Sequence, residues 1–412
     1  KNNMQALAGK PEGKLSFRLQ LLAQPAIGVQ DNEAQAQILN LPASGPGSLM
    51  KNENGELLVY IRLTEISAAN LQALTDAGAK IVHIAEEYRI ISAYVGFDRL
   101  ISVASLSTVE SVHEEYSPLT STAILNHPDK QAVPARPQAQ ADCVSATTSE
   151  GDTQLNVAAA RTTFGLNGAG VIVGVLSDSY ARVGAPVSAT ADIASGDLPG
   201  PGNPCGRLTP VNVIAEGPVA GSTDEGRAML QIVHDLAPGA NLAFATAFNS
   251  LFDFADQIRD LRNVAGSNVI VDDVSYFEEP FFQDGPVSVA IQDVTAAGAL
   301  YFTAAGNSHR VNSSGNAITS YEAAAYRATT CPPIVGLPAT PNCHDFNPAG
   351  GTDNTFRLTL NNGGSIILDF QWAEPWAGVQ TDLDIYLINA SNSVLAGSVG
   401  NNPVSQRPFE VF

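Results

Sequence analysis

Between residues 155 and 306 the chain alternates short apolar runs with amphipathic stretches, and this alternation limits the fold more than any other feature. VIVGVLS (171–177), VNVIAEG (211–217), ANLAFATAF (240–248), NVIVDDVSY (268–276) and ALYFTAAG (299–306) read as strands. VIVGVLS is apolar without a break, as expected of a strand covered on both faces. Residues 155–165, 223–237, 251–265 and 285–298 read as helices. In the second of these, Ala228, Met229, Ile232, Val233 and Leu236 make one apolar face. Strand–helix alternation predicts an open α/β fold, a parallel sheet with helices on both sides. Ligands of such sheets sit beyond the carboxyl ends of the strands.

The flanks follow other rules. Residues 1–54 carry no sustained period and read as an irregular leader. From Leu57, the runs 57–64, 68–79, 80–96, 97–109 and 110–118 predict the order βαββαβ, a split βαβ domain of ferredoxin-like α+β type over 55–118. Residues 119–154 are rich in Pro, Ala, Gln, Ser and Thr and read as a linker. The parallel-sheet domain is expected over 155–315. Beyond it, TFRLTLNN, GGSIILDFQW, TDLDIYLINA and NSVLAGSVG each alternate and end in Asn, Gly or a turn, which predicts a β-sandwich over 316–412.

Composition narrows the function. The net charge of -20 has the wrong sign for binding a phosphate backbone, so no nucleic-acid partner is expected. No apolar run reaches the roughly 18 residues of a membrane span. Charged residues are only 15% of the chain, while 44% is hydrophobic, so a core is affordable and global disorder is excluded. Cys143, Cys205, Cys331 and Cys343 show no CxxC spacing, which argues against zinc. Cys331 and Cys343 share a loop and could pair, although four cysteines allow three connectivities. An even cysteine count in an acidic, Gly/Pro-rich chain points to a secreted or cell-surface protein of bacterial type. The start at Lys1 and the stop inside PFEVF read as the two cuts of a fragment.

Several residues could carry chemistry. Asp178 stands where the first buried strand ends; it is either a catalytic acid or the Asx-turn or helix cap by which the chain leaves the strand. Glu225 opens a helix; it is either a general base or the N3 member of a capping box with Ser222. Asn307 follows a strand, where its amide could donate to an oxyanion. Asp272 and Asp273 interrupt a buried strand, and Asp273 with Ser275 is a candidate for substrate binding. His234 reads as structural and His309 as a rim residue. Asp382 and Asp384 alternate on one strand face; calcium could use such oxygens, but a solvated face is the preferred reading. No cofactor is otherwise indicated.

Three of these segments together resemble the subtilisin-like serine proteases. That family shows VxVxDSG, then HGTHVAG with a VAPGA-like turn, then AAGN. Here VGVLSDSY, DEGRAMLQIVHDLAPGA and TAAGN occur in that order. The βαββαβ domain is similar to the family's propeptide, and TDLDIYLINA to its accessory β-sandwiches. The chain also departs from the pattern. Glu225 takes the place of the family's His, as in the acidic sedolisins, while Met229 stands where a sedolisin has Asp. Asn307 is the subtilisin choice at the oxyanion position. Without a gap, Ser177 rather than Asp178 aligns with the acid. No GTSxAxP string carries a nucleophile.

The resemblance implies a secreted serine endopeptidase, expected here as a fragment whose Ser lies beyond Phe412. Glu225 would act as base, Asp178 would support it, and Asn307 would stabilise the oxyanion. Its partners would be a protein or peptide substrate and its own propeptide-like domain. The alternative is a non-catalytic binding or adhesion protein on a decayed scaffold.

Overall fold

The computed structural model describes residues 13–120, 146–307, 310–315, 317–334, 342–360, 362 and 364–412. The chain divides into two units. The first comprises residues up to Ser117, Pro280–Gln283 and Asn307–Phe412; the second comprises Pro118–Glu279 and Asp284–Gly306.

The first unit begins with three short helices, α1 (Phe17–Leu22), α2 (Pro25–Gly28) and α3 (Asn32–Leu39). The segment expected to be irregular is therefore partly helical. Its caps are ordinary: Ser16 accepts from the Leu19 N–H, and Asp31 accepts from the Ala34 N–H. Leu19 and Leu22 are fully buried and anchor the first helix. Then come β1 (Leu57–Leu63), α4 (Ala68–Asp76), β2 (Ala79–Ala85), β3 (Ile90–Val95), α5 (Leu100–Ala104) and β4 (Val109–Glu114). The sheet order is β2-β3-β1-β4, with every neighbour antiparallel. That is the order of a split βαβ unit. Its centre, LLVYIRL, is buried at all but one position, as an inner strand requires.

The second unit holds β5 (Leu119–Thr120), α6 (Glu150–Gln154), α7 (Val157–Phe164), β6 (Ile172–Ser177), α8 (Ala189–Ser195), β7 (Asn212–Ala215) and α9 (Glu225–Leu236). It continues with β8 (Asn241–Thr246), α10 (Leu251–Asn263), β9 (Val269–Asp272), β10 (Val274–Ser275), α11 (Pro286–Ala296) and β11 (Leu300–Thr303). Five strands form one parallel sheet in the order β11-β9-β6-β8-β7. Side chains alternate faces along a strand. Val173 and Val175 pack with Leu230 of α9. A Cβ on Gly174 between them would lie 3.1 Å from Leu261 of α10. Helices therefore cover both faces, and the expected α/β architecture is observed. β7 and β8 follow on one side of β6, whereas β9 and β11 lie on the other. The winding thus reverses between β6 and β9, where the crevice of such a sheet opens.

The chain then returns to the first unit with β12 (Ala328–Thr329), β13 (Cys343–His344), β14 (Asp369–Gln371), β15 (Ile385–Ile388), β16 (Val394–Ser398), α12 (Asn402–Ser405) and β17 (Phe409–Val411). These strands pair two by two: β12 with β13, β14 with β17, and β15 with β16. The expected sandwich is thus reduced, among the described residues, to three separate ladders. TFRLTLNN forms no strand there; Phe356 instead packs against Tyr321 and Phe346, at ring separations of 5.4 and 5.6 Å. Cys331 and Cys343 form a disulfide, and Cys205 is also disulfide-bonded. Cys143 and His309 lie outside the described residues. Among the described residues no helix is long and apolar enough to cross a membrane. Nor does any group of three or more His, Cys, Asp or Glu there suit a metal ion. Asp382 and Asp384 instead accept hydrogen bonds from the Asn402 N–H at 3.2 Å and the Tyr386 hydroxyl at 3.3 Å.

Candidate active site

The head of α9 is built by residues distant in sequence. Asp224, its N-cap residue, sits in the left-handed region at φ 59° and offers the helix no side-chain cap. Ser222 turns back to the Pro218 carbonyl. The expected Ser222–Glu225 capping box is therefore absent. Asp178, 2% exposed at the end of β6, caps the helix instead. Its Oδ1 accepts from the N–H groups of Glu225 at 2.9 Å and Gly226 at 3.4 Å. Its Oδ2 accepts from the Thr223 N–H at 2.5 Å and hydroxyl at 2.7 Å. A carboxylate at this end also meets the positive pole of the helix dipole. Gly226 lets the helix come close to the sheet, since a Cβ there would lie 2.3 Å from Phe244 of β8.

Asp178 thus meets Glu225 at its backbone. The Glu225 carboxyl has another neighbour, Asp273, to which it is hydrogen-bonded. Asp273 occupies the single-residue break between β9 and β10. The pairing of Leu176 with Asp272 carries Ser177 to the same level of the sheet on β6. Ser177 is 0% exposed, and its hydroxyl, which faces Asp273, completes no hydrogen bond of normal geometry. The three side chains meet where the winding of the sheet reverses.

Burial first, then the hydrogen bond and charge of Glu225, push the Asp273 carboxyl up to about 8. Two carboxyls in contact cannot both ionise cheaply, which favours the protonated form of Asp273. Asp272 points elsewhere and is fully engaged, accepting from Tyr301 at 2.6 Å, Thr303 at 2.9 Å and the Val274 N–H at 3.1 Å. Ser275 is exposed on β10, paired through its backbone with Leu119. His234 is buried near the end of α9, and burial lowers it to about 4, in keeping with a structural role. Asn307 follows β11 by four residues, behind Gly306 at φ 68°, and opens the returning part of the first unit.

No protein-family model matches the chain, and no curated protein does. Among solved structures it is similar to fervidolysin of Fervidobacterium pennivorans, a keratinolytic enzyme related to subtilisin. The TM-score is 0.29 and the identity 13%, over 67% of this chain and 44% of that one. It is also similar to the epidermin leader peptide processing serine protease of Staphylococcus aureus. There the TM-score is 0.32 and the identity 12%, over 61% of this chain and 60% of that one. The chain spans less than two thirds of either structure. With such low scores these are partial overlaps, and the site rests on its own geometry.

The buried groups have a consequence for stability. Burial raises Asp273 to about 8, and Glu279 and Glu410 to about 7 each. The folded chain keeps these protons where an unfolded chain, with pKa values near 4, has lost them. Their contribution is therefore full below about pH 4 and is lost as pH rises to about 8. Burial lowers His113 to about 3 and His234 to about 4. The unfolded chain takes up these protons first, so stability falls as pH drops from about 6.5 towards 3. Between 4.5 and 6.5 three carboxyls oppose two histidines, and the carboxyls prevail. Thermal unfolding should occur at a higher temperature at pH 5 than at pH 8. An equal or higher value at pH 8 would show that these groups are not held neutral.

Proposed function

We propose that the second unit carries the acid–base part of a subtilisin-like serine peptidase site acting on protein or peptide substrates. The observation that supports this reading is the half-buried Glu225–Asp273 pair at the reversal point of a parallel sheet. Asp273 holds its proton and donates it to one Glu225 oxygen. The other oxygen is left to accept a proton from a serine hydroxyl. As that hydroxyl attacks the scissile carbonyl, the carbonyl oxygen becomes negative and must be met by a hydrogen-bond donor. Glu225 then returns the proton to the departing amine, which completes the acyl transfer. Asp178 contributes by fixing the backbone from which Glu225 projects. No GTSxAxP string occurs in these 412 residues, and on this reading the nucleophilic serine is supplied by sequence outside them.

The Cys331–Cys343 disulfide supports export to an oxidising compartment. The βαββαβ body is suited to a propeptide-like role in folding. A non-catalytic binding protein on the same scaffold is favoured by one observation: Ser177 occupies the position that the ungapped motif gives to the acid. Turnover separates the two readings. A chain carrying the serine should hydrolyse an unfolded protein at acid to neutral pH and lose activity as pH rises through about 8, because Asp273 must stay protonated. The 412-residue chain should be inert. An ordinary alkaline optimum, or no hydrolysis at any pH once the serine is present, would count against the peptidase.

A further inference from the structure

A buried cation locks the two ends of the first unit together. Arg18, on α1, is 9% exposed. Its Nη1 donates to the Tyr116 hydroxyl at 2.8 Å and pairs with Glu114 at 3.6 Å. Its Nη2 donates to the Val411 carbonyl of β17 at 2.5 Å, and its Nε donates to the Leu39 carbonyl at 3.3 Å. Tyr116 completes the chain by donating to Glu114 at 2.7 Å. Its ring lies 6.3 Å from that of Phe409, over which Arg407 sits at 5.1 Å. Phe409, Val411 and Phe412 are all nearly inaccessible. One guanidinium, carried by α1, thus meets groups on α3, β4 and β17.

We propose that this arrangement makes residues 13–117 a permanent partner of the C-terminal strands, retained when the segment 121–145 is cut. A domain built to leave would carry a separable face. Here departure would strip the guanidinium from the Val411 carbonyl and bare Phe409, Val411 and Phe412 to water. A buried charge tolerates neither loss of partners nor dry isolation. The inference does not depend on peptidase activity, since it concerns how the first unit is held together.

The test nicks the full chain at a site-specific protease sequence placed within 121–145 and follows release of the N-terminal fragment by gel filtration after dilution. The wild-type fragments should elute together. Nicked Arg18→Met should release the fragment at least tenfold faster. β5, which stays on the N-terminal fragment and pairs with β10, contributes equally to both, so the ratio reports on Arg18. Immediate release from the wild type, or equal retention by the variant, would overturn the proposal. If Arg18→Met does not fold, Tyr116→Phe removes only the hydroxyl that accepts from Arg18. It should accelerate release in the same direction, and an unchanged rate would likewise overturn the proposal.

Discussion

Glu225→Gln, in a chain that carries the nucleophilic serine, should lower turnover by about a thousandfold or more, with the melting temperature nearly unchanged. A general base contributes about 10²–10⁴ to rate, and a glutamine amide cannot take the serine proton. The fold should tolerate the change. What caps α9 is the Asp178 carboxylate acting on backbone N–H groups, and the Glu225 side chain has no part in it. The same substitution separates the two readings left open by the sequence. If Glu225 were a capping residue, Gln would destabilise the helix slightly and leave turnover alone. Peptide hydrolysis and thermal unfolding, measured on the same preparation, distinguish these outcomes.

Asp178→Ala should have the opposite profile, a loss of stability of about 3 kcal/mol. The buried carboxylate accepts from Thr223 twice and from the Glu225 and Gly226 N–H groups. Alanine would leave these donors without their acceptor, and a buried one left unsatisfied, such as the Gly226 N–H, costs about 1–3 kcal/mol. Loop relaxation and entry of water would recover part of that. Asp178→Asn keeps one acceptor oxygen and should lose less. Denaturant unfolding of the three proteins tests the order. Equal stability of Asp178→Ala and wild type would remove Asp178 from the head of α9.

The parallel sheet was legible because its physics is local. β6 and β8 have apolar interiors since both faces are covered, and α9, which precedes β8, shows a clear apolar stripe. The split βαβ order was legible for the same reason. The cap of α9 was not, because its donors and acceptor are separated by 45 to 48 residues. Ser222 and Glu225 imitate a local box, and only the tertiary fold shows that Asp178 does the work. Asp273 was visible as an oddity, a second acid in a buried strand. Its pairing with Glu225 depends on two strands and a helix meeting at one edge. The C-terminal strands misled because alternation alone does not supply a partner. Phe356 and its neighbours alternate like a strand but pack into an aromatic cluster. The first helices were missed despite a readable cap at Asp31, followed by NEAQAQIL.

The central claim is that Asp273, beside Glu225, keeps its proton at neutral pH. Carbon-13 labelling of aspartate carboxyls, with Asp273→Asn used for assignment, allows Asp273 to be titrated by NMR. In the wild type its resonance should move near pH 8, and in Glu225→Gln the midpoint should fall, because the neighbouring charge that raises it is gone. A wild-type midpoint near the ordinary aspartate value of about 3.9, unmoved by Glu225→Gln, would contradict the account.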